Sequence, residues 1–278
     1  KIIDNSEAGY FDLTKTYGFY KGQSYMLKLI MDEYPELKNE VNIANHTFRA
    51  SFSSSLKSIR SILEKNQKLF KDTNFQLLEI YKNMKVYSKS KAIEFINIVK
   101  KRAKGELESP IIENLLIYNP IYNKNPRKEL EDGFKKFYFS KGSPKAKGVS
   151  FEVSVPQSWK SEEARRPNIV RKFISKNGFG EVFIMIIIKK IPIPDDMILS
   201  NKDIKDYLIT DDIIKTVDSG VLLNDYGRFS LENIPGFWQE VEMPVSRGEH
   251  TLDTKSKHYI FYYQNRMIMI QLMTADMK

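Results

Sequence analysis

The spacing of hydrophobic positions changes near the middle of this 278-residue chain. Up to about residue 136, apolar side chains recur every third or fourth position, which predicts helices that bury one side. Beyond that point they alternate or form short apolar runs, which predicts β-strands. An Asn- and Pro-rich stretch over 120–127 predicts a connecting loop close to the change. We therefore expect two domains, a helical one over 1–136 and an α+β one over 137–278.

The first domain is expected to be an antiparallel helical bundle. Residues 1–17 show no clear period and are predicted to be irregular, whereas 20–34 is predicted to be a helix. A continuous apolar stripe predicts one long helix over 36–71. The sequence Thr-Asn-Phe-Gln at 73–76 has the pattern of a capping box, and it predicts a further helix from there through Val99.

Two local signals predict helix ends in the same domain. Gly105 follows a basic last turn, and we expect it to stop its helix in a left-handed conformation. Ser109 and Pro110 form an N-cap and first-turn pair, which predicts a short helix through Leu116.

The second domain is expected to be an antiparallel β-sheet flanked by helices. The strand predicted over 181–188 is apolar at every position from Val182 onward, and it is expected to lie inside the sheet with both faces covered. Residues 202–217 are predicted to be a helix, and 246–257 a polar connection. Further strands are predicted over 149–155, 169–175, 226–231, 237–243, 259–263 and 267–273.

The excess positive charge is concentrated in one part of the helical domain. The whole chain has a net charge of +9, and residues 38–104 alone hold 15 basic and 5 acidic side chains. Two interpretations stay open: a solvated helix face, or a surface for an anionic partner such as lipid headgroups, nucleic acid or an acidic protein. The cations expected on the outer side of this basic hairpin are Lys57, Arg60, Lys65, Lys68 and Lys71.

The sequence offers no motif for catalysis, and we predict no catalytic residue, no metal and no cofactor. It contains no cysteine, which excludes a cysteine nucleophile, and it has no Gly-x-Ser-x-Gly elbow or phosphate-binding glycine loop. Glu249, His250, Asp253 and His258 are close in sequence, but their spacing matches no zinc signature.

Two tryptophans, Trp159 and Trp238, are the candidate anchors for a partner. Packing in a core is the ordinary role of such residues, whereas an exposed tryptophan would contribute strongly to an interface. Arg165 and Arg166 form a cationic pair close to Trp159 in sequence. The candidate binding residues are therefore Trp159, Trp238, Arg165, Arg166, Lys57, Arg60 and Lys68.

Three short segments of the second domain resemble the PsbP-like fold family. They are a strand leading into Pro-x-x-Trp over 151–159, the sequence Ile-Pro-Gly-Phe-Trp over 234–238, and the hairpin sequence over 259–270. The family includes an extrinsic protein of photosystem II and bacterial envelope proteins of similar shape. The resemblance implies an α/β/α sandwich with an accessory or binding role rather than an enzymatic one. It covers 137–278 only, and the helical domain has no counterpart in it.

These observations favour a non-enzymatic accessory or binding module of the bacterial cell envelope, whose partner is an unknown protein or envelope component. The alternative is an anion-binding helical protein that docks on a membrane surface or nucleic acid through the basic hairpin over 38–104. No apolar run reaches the length of a transmembrane helix, so we expect no such segment. The chain starts at Lys1, which favours a processed chain exported to the periplasm, and a cytoplasmic location stays open.

Overall fold

The protein is α+β, with helices and antiparallel sheets. The computed structural model describes residues 7–194, 197–247, 250–263 and 265–275.

The contacts within the chain divide it into two compact units. The first, called the helical unit below, comprises Lys1–Lys136 and Ser154–Ser158. The second, called the sheet unit, comprises Phe137–Val153 and Trp159–Lys278.

The helical unit is built around α2, which packs against α1, α4 and α5. Its core is formed by the apolar stripe of α2, where Phe48, Phe52, Ile59 and Leu63 are almost completely buried. The ring of Phe52 lies 5.3 Å from that of Phe134, which follows the last helix of the unit. The helices of the unit are α1 (Glu7–Glu33), α2 (Lys38–Glu64), α3 (Gln67–Lys82), α4 (Lys89–Ala103), α5 (Pro110–Ile117), α6 (Pro120–Lys124) and α7 (Pro126–Glu131).

The first helix is longer than its sequence pattern predicted. It begins at Glu7, so the prediction that residues 1–17 are irregular is wrong for the part that the structure describes. The buried side of α1 includes two polar side chains, Thr16 and Gln23, and these interrupt the apolar pattern. Thr16 Oγ1 donates to the carbonyl of Asp12 at 2.8 Å, and Gln23 Oε1 accepts from Arg102 at 3.0 Å. Both buried polar groups are therefore satisfied.

The predicted long helix over 36–71 is wrong, because the chain forms two helices there. α2 ends at Glu64, and Asn66 caps α3 by accepting a hydrogen bond from the backbone N–H of Leu69 at 3.2 Å. The predicted capping box at 73–76 is also wrong. Thr73 lies inside α3, and its hydroxyl donates to the carbonyl of Leu69. The apolar spacing continues across the break, so periodicity alone did not show it.

The helix predicted to run through Val99 is likewise two helices. α3 ends at Lys82, and residues 84–88 form neither helix nor strand. Ser88 then caps α4 by accepting from the backbone N–H of Lys91 at 3.2 Å.

Two predicted helix ends are confirmed. Gly105 has a φ of +73°, the left-handed conformation expected just after α4. The hydroxyl of Ser109 accepts from the backbone N–H of Ile112 at 3.2 Å, and Pro110 is the first residue of α5.

The sheet unit contains a seven-stranded antiparallel sheet with the strand order β3-β4-β5-β9-β8-β7-β6. β1 (Lys135–Phe139) and β2 (Glu152–Pro156) pair in a separate two-stranded sheet. The strands of the larger sheet are β3 (Lys160–Glu162), β4 (Ile169–Ile174), β5 (Val182–Lys190), β6 (Leu222–Leu231), β7 (Ile234–Arg247), β8 (His250–Tyr263) and β9 (Arg266–Ala275).

β5 is an interior strand, as the apolar run over 182–188 predicted, and it lies between β4 and β9. Ile186 and Ile188 on one face are buried. Met185 and Ile187 on the other face are half-buried, so that face is only partly covered. The hairpin predicted over 259–273 is confirmed, since β8 and β9 pair up to Tyr263 and Arg266.

One face of the sheet packs against short helices. Phe237, Ile260 and Tyr262 on that face form a cluster with Ile204 and Ile214. The predicted single helix over 202–217 is wrong, because it consists of α8 (Asn201–Asp203), a π-helical turn (Ile204–Leu208) and α9 (Asp211–Lys215). The hydroxyl of Thr210 caps α9, which explains the break.

The polar stretch over 246–257 was predicted to be a connection, and this is wrong as well. β7 continues to Arg247 and β8 starts at His250. The stretch is polar on both faces, for example at Lys255 and Ser256, so no hydrophobic alternation marked it as a strand.

Candidate functional site

A cleft lined by polar and aromatic side chains lies between α1 and α2 of the helical unit. It has a volume of about 270 Å³, and we call it the cationic cleft. It is lined by Tyr17, Tyr20, Lys21, Arg49, Ser53, Leu56, Lys57 and Arg60.

The helical repeat of α2 places three of these polar residues in a row. Arg49, Ser53 and Lys57 are four residues apart, so they follow one another along one side of the helix. The adjacent positions Phe48 and Phe52 point into the core. The core therefore fixes the orientation of α2 and holds this polar row at the cleft.

The side of α1 that faces the cleft is fixed by aromatic packing. The ring of Tyr20 stacks on that of Phe48, with the centroids 6.3 Å apart and the planes at 11°. The ring of Tyr17 lies 5.6 Å from Phe70 of α3, and Tyr17 is 6% exposed. Lys21 is one turn beyond Tyr17, so the same packing carries its side chain to the cleft.

The cleft carries an excess of positive charge. Arg60 Nε pairs with Glu64 at 2.7 Å, and this hydrogen bond raises the pKa of Arg60. Lys21, Arg49 and Lys57 have no ion pair within the described residues. Three of the four cations thus have no neutralising carboxylate in the part of the chain that the structure describes.

The hydroxyl groups of the cleft add uncharged donors. Burial raises the pKa of Tyr17, so its phenol stays protonated at neutral pH. Among the described residues, no carboxylate or imidazole lines the cleft. Its lining can therefore donate several hydrogen bonds to an anion, but it supplies no ordinary general base.

Two of the residues predicted from the basic hairpin, Lys57 and Arg60, lie in this cleft. Lys68 does not line it, and its side chain is exposed near the start of α3. Sequence reasoning missed Lys21 and Arg49. The spacing of four between Arg49, Ser53 and Lys57 was a usable signal for Arg49, whereas Lys21 depends on the pairing of two helices.

The structure buries Trp159, which is 3% exposed. Its ring is therefore not accessible as an anchor, and the expectation of a binding role for it is corrected to a packing role. Arg165 and Arg166 are exposed in the segment between β3 and β4.

Trp238 is half-buried on the face of β7 opposite to the short helices. It lies across Gly227 of β6, where an added Cβ would be 2.8 Å from the indole nitrogen. The Nζ of Lys257 is 4.1 Å from the centre of the indole ring, and it also pairs with Glu240 at 2.7 Å. This ion pair raises the pKa of Lys257. Lys257 thus covers part of the ring that a partner would need.

No group of three or more potential metal ligands is found among the described residues. Glu249 and the side chain of His250 lie outside the described part of the chain. Asp253 is exposed, whereas His258 is half-buried and burial lowers its pKa, so this imidazole is neutral at pH 7.

Within the described residues, none of the helices has both the length and the apolar character that crossing a bilayer requires.

No protein family profile matches the sequence, and no curated protein matches it. Among solved structures, the chain is similar to the solution structure of cyanobacterial PsbP (CyanoP) from Synechocystis sp. PCC 6803. The two are 14% identical, with a TM-score of 0.31, over 51% of this chain and 81% of that chain. No conclusion about fold or function follows from a likeness at this TM-score.

Proposed function

We propose that the helical unit is a non-enzymatic binding module that holds a phosphate-bearing ligand in the cationic cleft. The observation that supports this is the convergence of Lys21, Arg49, Lys57 and Arg60 on one cavity. Of these four cations, only Arg60 has an acidic partner among the described residues. Like charges in one place repel each other, and a multivalent anion would relieve that repulsion.

Phosphate fits the donors of the cleft better than a single carboxylate does. Two guanidinium groups, on Arg49 and Arg60, line the cleft, and a guanidinium carries paired N–H donors that match phosphate oxygens. In Arg60 the Nε–H is already donated to Glu64, which leaves its terminal N–H groups for the ligand. The ammonium groups of Lys21 and Lys57 add charge without a fixed geometry. The volume of about 270 Å³ is slightly below that of ordinary pockets for drug-sized ligands, so a small phosphate group fits.

Titration with inorganic pyrophosphate at low ionic strength, followed by calorimetry, tests the proposal. We expect saturable binding of one pyrophosphate per chain. Arg49→Gln and Lys57→Gln are each expected to weaken it about tenfold, because each removes a charged donor. Lys68→Gln is the matched control, since it removes a lysine of the same basic segment outside the cleft, and we expect a change below about twofold.

Absence of saturable binding would contradict the proposal. An equal loss of affinity in Lys57→Gln and Lys68→Gln would also contradict it, because that result would indicate a diffuse basic surface. Binding should weaken as salt is added, since the interaction is between charges.

The phosphate group could belong to a soluble compound or to a lipid headgroup. We favour the soluble source, because the cations converge on a cleft between two helices rather than on a flat face. Co-sedimentation of the protein with vesicles containing phosphatidylglycerol would assign the lipid source instead, if Arg49→Gln and added pyrophosphate each abolish it. Tight binding of single-stranded DNA would favour the nucleic-acid alternative. The buried rings of Phe48 and Phe52 offer no platform for stacking bases.

For the chain as a whole, we propose an accessory role in the bacterial cell envelope. The support is the set of short segments over 151–159, 234–238 and 259–270 that resemble PsbP-like proteins. The first overlaps β2 of the two-stranded sheet, and the other two lie in the seven-stranded antiparallel sheet. On this proposal 137–278 is a PsbP-like domain, and the chain is exported. Fractionation of the producing cells tests the location, and a cytoplasmic pool alone would contradict it. Turnover of generic ester or phosphate substrates by pure protein would contradict the non-enzymatic role.

A further inference from the structure

A second cavity of the helical unit is apolar and distinct from the cationic cleft. It lies between α1, the irregular residues 84–88 and α4, and we call it the α1–α4 groove. Its volume is about 240 Å³. It is lined by Met26, Ile30, Lys85, Val86, Tyr87, Lys91, Ala92, Glu94, Phe95 and Ile98.

The floor of the groove is part of the core. Ile30 and Ala92 are 0% and 1% exposed. The walls, which include Met26, Val86 and Phe95, are only half-buried although they pack against the same core. The groove thus leaves apolar surface open to water, and burying that surface would be favourable.

Among the residues that the structure describes, the rim of the groove carries one cation without an ion-pair partner. Lys91 pairs with Glu94 at 2.7 Å, and the neighbouring Lys89 pairs with Glu36 at 2.8 Å. Lys85 has no ion pair among the described residues. An apolar channel with an unpaired ammonium at its rim is complementary to an apolar chain that ends in an anion.

We propose that the α1–α4 groove binds a single-chain amphiphile with an anionic head, of which a medium-chain fatty acid is the simplest example. The tail lies against Met26, Val86 and Phe95, and the carboxylate pairs with Lys85. The volume suits a small ligand rather than a protein surface, because stable protein interfaces bury far larger areas.

Titration of the full chain with decanoate, and in parallel with decanol, tests this inference. We expect decanoate to bind several-fold more tightly than decanol. Affinity should rise from octanoate to decanoate by up to about fourfold per added methylene, because each buried methylene contributes separately.

Substitutions in the groove separate the contributions of the head and the tail. Lys85→Gln should weaken decanoate about three- to tenfold and leave decanol unchanged. Val86→Asp should weaken both by more than tenfold, because it places a carboxylate against the tail. Lys101→Gln, an exposed lysine of α4 that does not line the groove, is the control and should change neither. Circular dichroism checks that each variant keeps its helices.

Because decanoate is itself an anion, the cationic cleft is the main competitor. Lys57→Gln and excess pyrophosphate should leave decanoate binding unchanged. A loss of decanoate binding in either case would overturn the proposal and move the ligand to the cleft. Equal binding of decanoate and decanol, or unchanged binding in Val86→Asp, would overturn it as well. If the native chain forms a dimer and Val86→Asp dissociates it, the groove binds a second copy of the chain, and the proposal is overturned.

Discussion

At the scale of single residues, Glu129 of α7 is a buried carboxyl group in the helical unit. It is 1% exposed, and its carboxylate accepts hydrogen bonds from the backbone N–H of Ser158 at 2.8 Å and from the Ser158 hydroxyl at 2.7 Å. Burial raises the pKa of Glu129 to about 7, and the hydrogen bonds and Lys136 lower it only in part. The folded chain therefore binds a proton at this carboxyl more readily than the unfolded chain does.

That difference predicts how stability depends on pH. The pKa in the folded state is above the ordinary value, so the contribution of Glu129 to stability is fully present below about pH 4.5 and declines as the pH rises through about 7. Urea unfolding at pH 5 and pH 8 measures the change. Glu129→Gln should reduce the pH dependence by up to about 3 kcal/mol. Glu131→Gln, an exposed neighbour, is the control, and an equal reduction there would contradict the assignment.

Gly227 is required by the position of Trp238. A Cβ at this position would lie 2.8 Å from the indole nitrogen, so Gly227→Ala should displace the ring and destabilise the fold by about 1–3 kcal/mol. Trp238 and the buried Trp159 are the two tryptophans of the chain, so fluorescence emission reports the displacement as a red shift. Gly22→Ala, where an added Cβ meets nothing within 4 Å, should leave the emission unchanged. An unshifted spectrum in Gly227→Ala would contradict this packing.

The sequence predicted some residues of the cationic cleft but not others. Lys57 and Arg60 stand out as cations beside an apolar helical stripe, and such a stripe can be read directly. Lys21 comes from a different helix. Its place in the cleft depends on the stacking of Tyr20 on Phe48, a contact between two helices that no local pattern encodes.

At the scale of elements, capping side chains decide where the helices end. The apolar stripe passes from Leu63 to Phe70 with helical spacing, so the pattern predicted one helix. The chain breaks there because Asn66 caps a new helix. A capping side chain can end one helix and start another where the apolar periodicity continues. The periodicity therefore does not predict where a helix ends.

The cap at Asn66 is therefore a testable feature of the fold. Asn66→Ala should destabilise the protein by about 1 kcal/mol, because the backbone N–H of Leu69 loses its acceptor. Asn66→Asp keeps an acceptor and should cost much less. Thermal unfolding followed by circular dichroism compares the two variants, and equal stability of Asn66→Ala and the native chain would contradict the assignment of α3.

At the scale of the whole molecule, the change from helical to alternating spacing correctly predicted the α+β class. Local hairpins such as β8–β9 were also predictable, because the paired strands are adjacent in sequence. The pairing of β5 with β9 was not. It joins segments that are far apart in the chain, and both strands are mainly apolar at the paired positions, so neither sequence specifies its neighbour.

The positive charge is unevenly distributed over the molecule. Most of the positive excess lies in 38–104, and the structure concentrates part of it in the cationic cleft while Lys68 and other lysines of the segment remain solvated. The proposed function depends on the cleft rather than on the net charge. Specific binding in the cleft and non-specific binding to the positive surface can be distinguished in one sample.

The arginine Nε–H resonances of the native chain, recorded by NMR during a pyrophosphate titration, make that separation most directly. Arg49 and Arg60 line the cleft, whereas Arg165 and Arg166 are exposed in the other unit and serve as internal controls. We predict that the signals of Arg49 and Arg60 shift together and saturate, while those of Arg165 and Arg166 stay in place. Shifts of similar size at all four arginines, or none at Arg49 and Arg60, would contradict an anion site between α1 and α2.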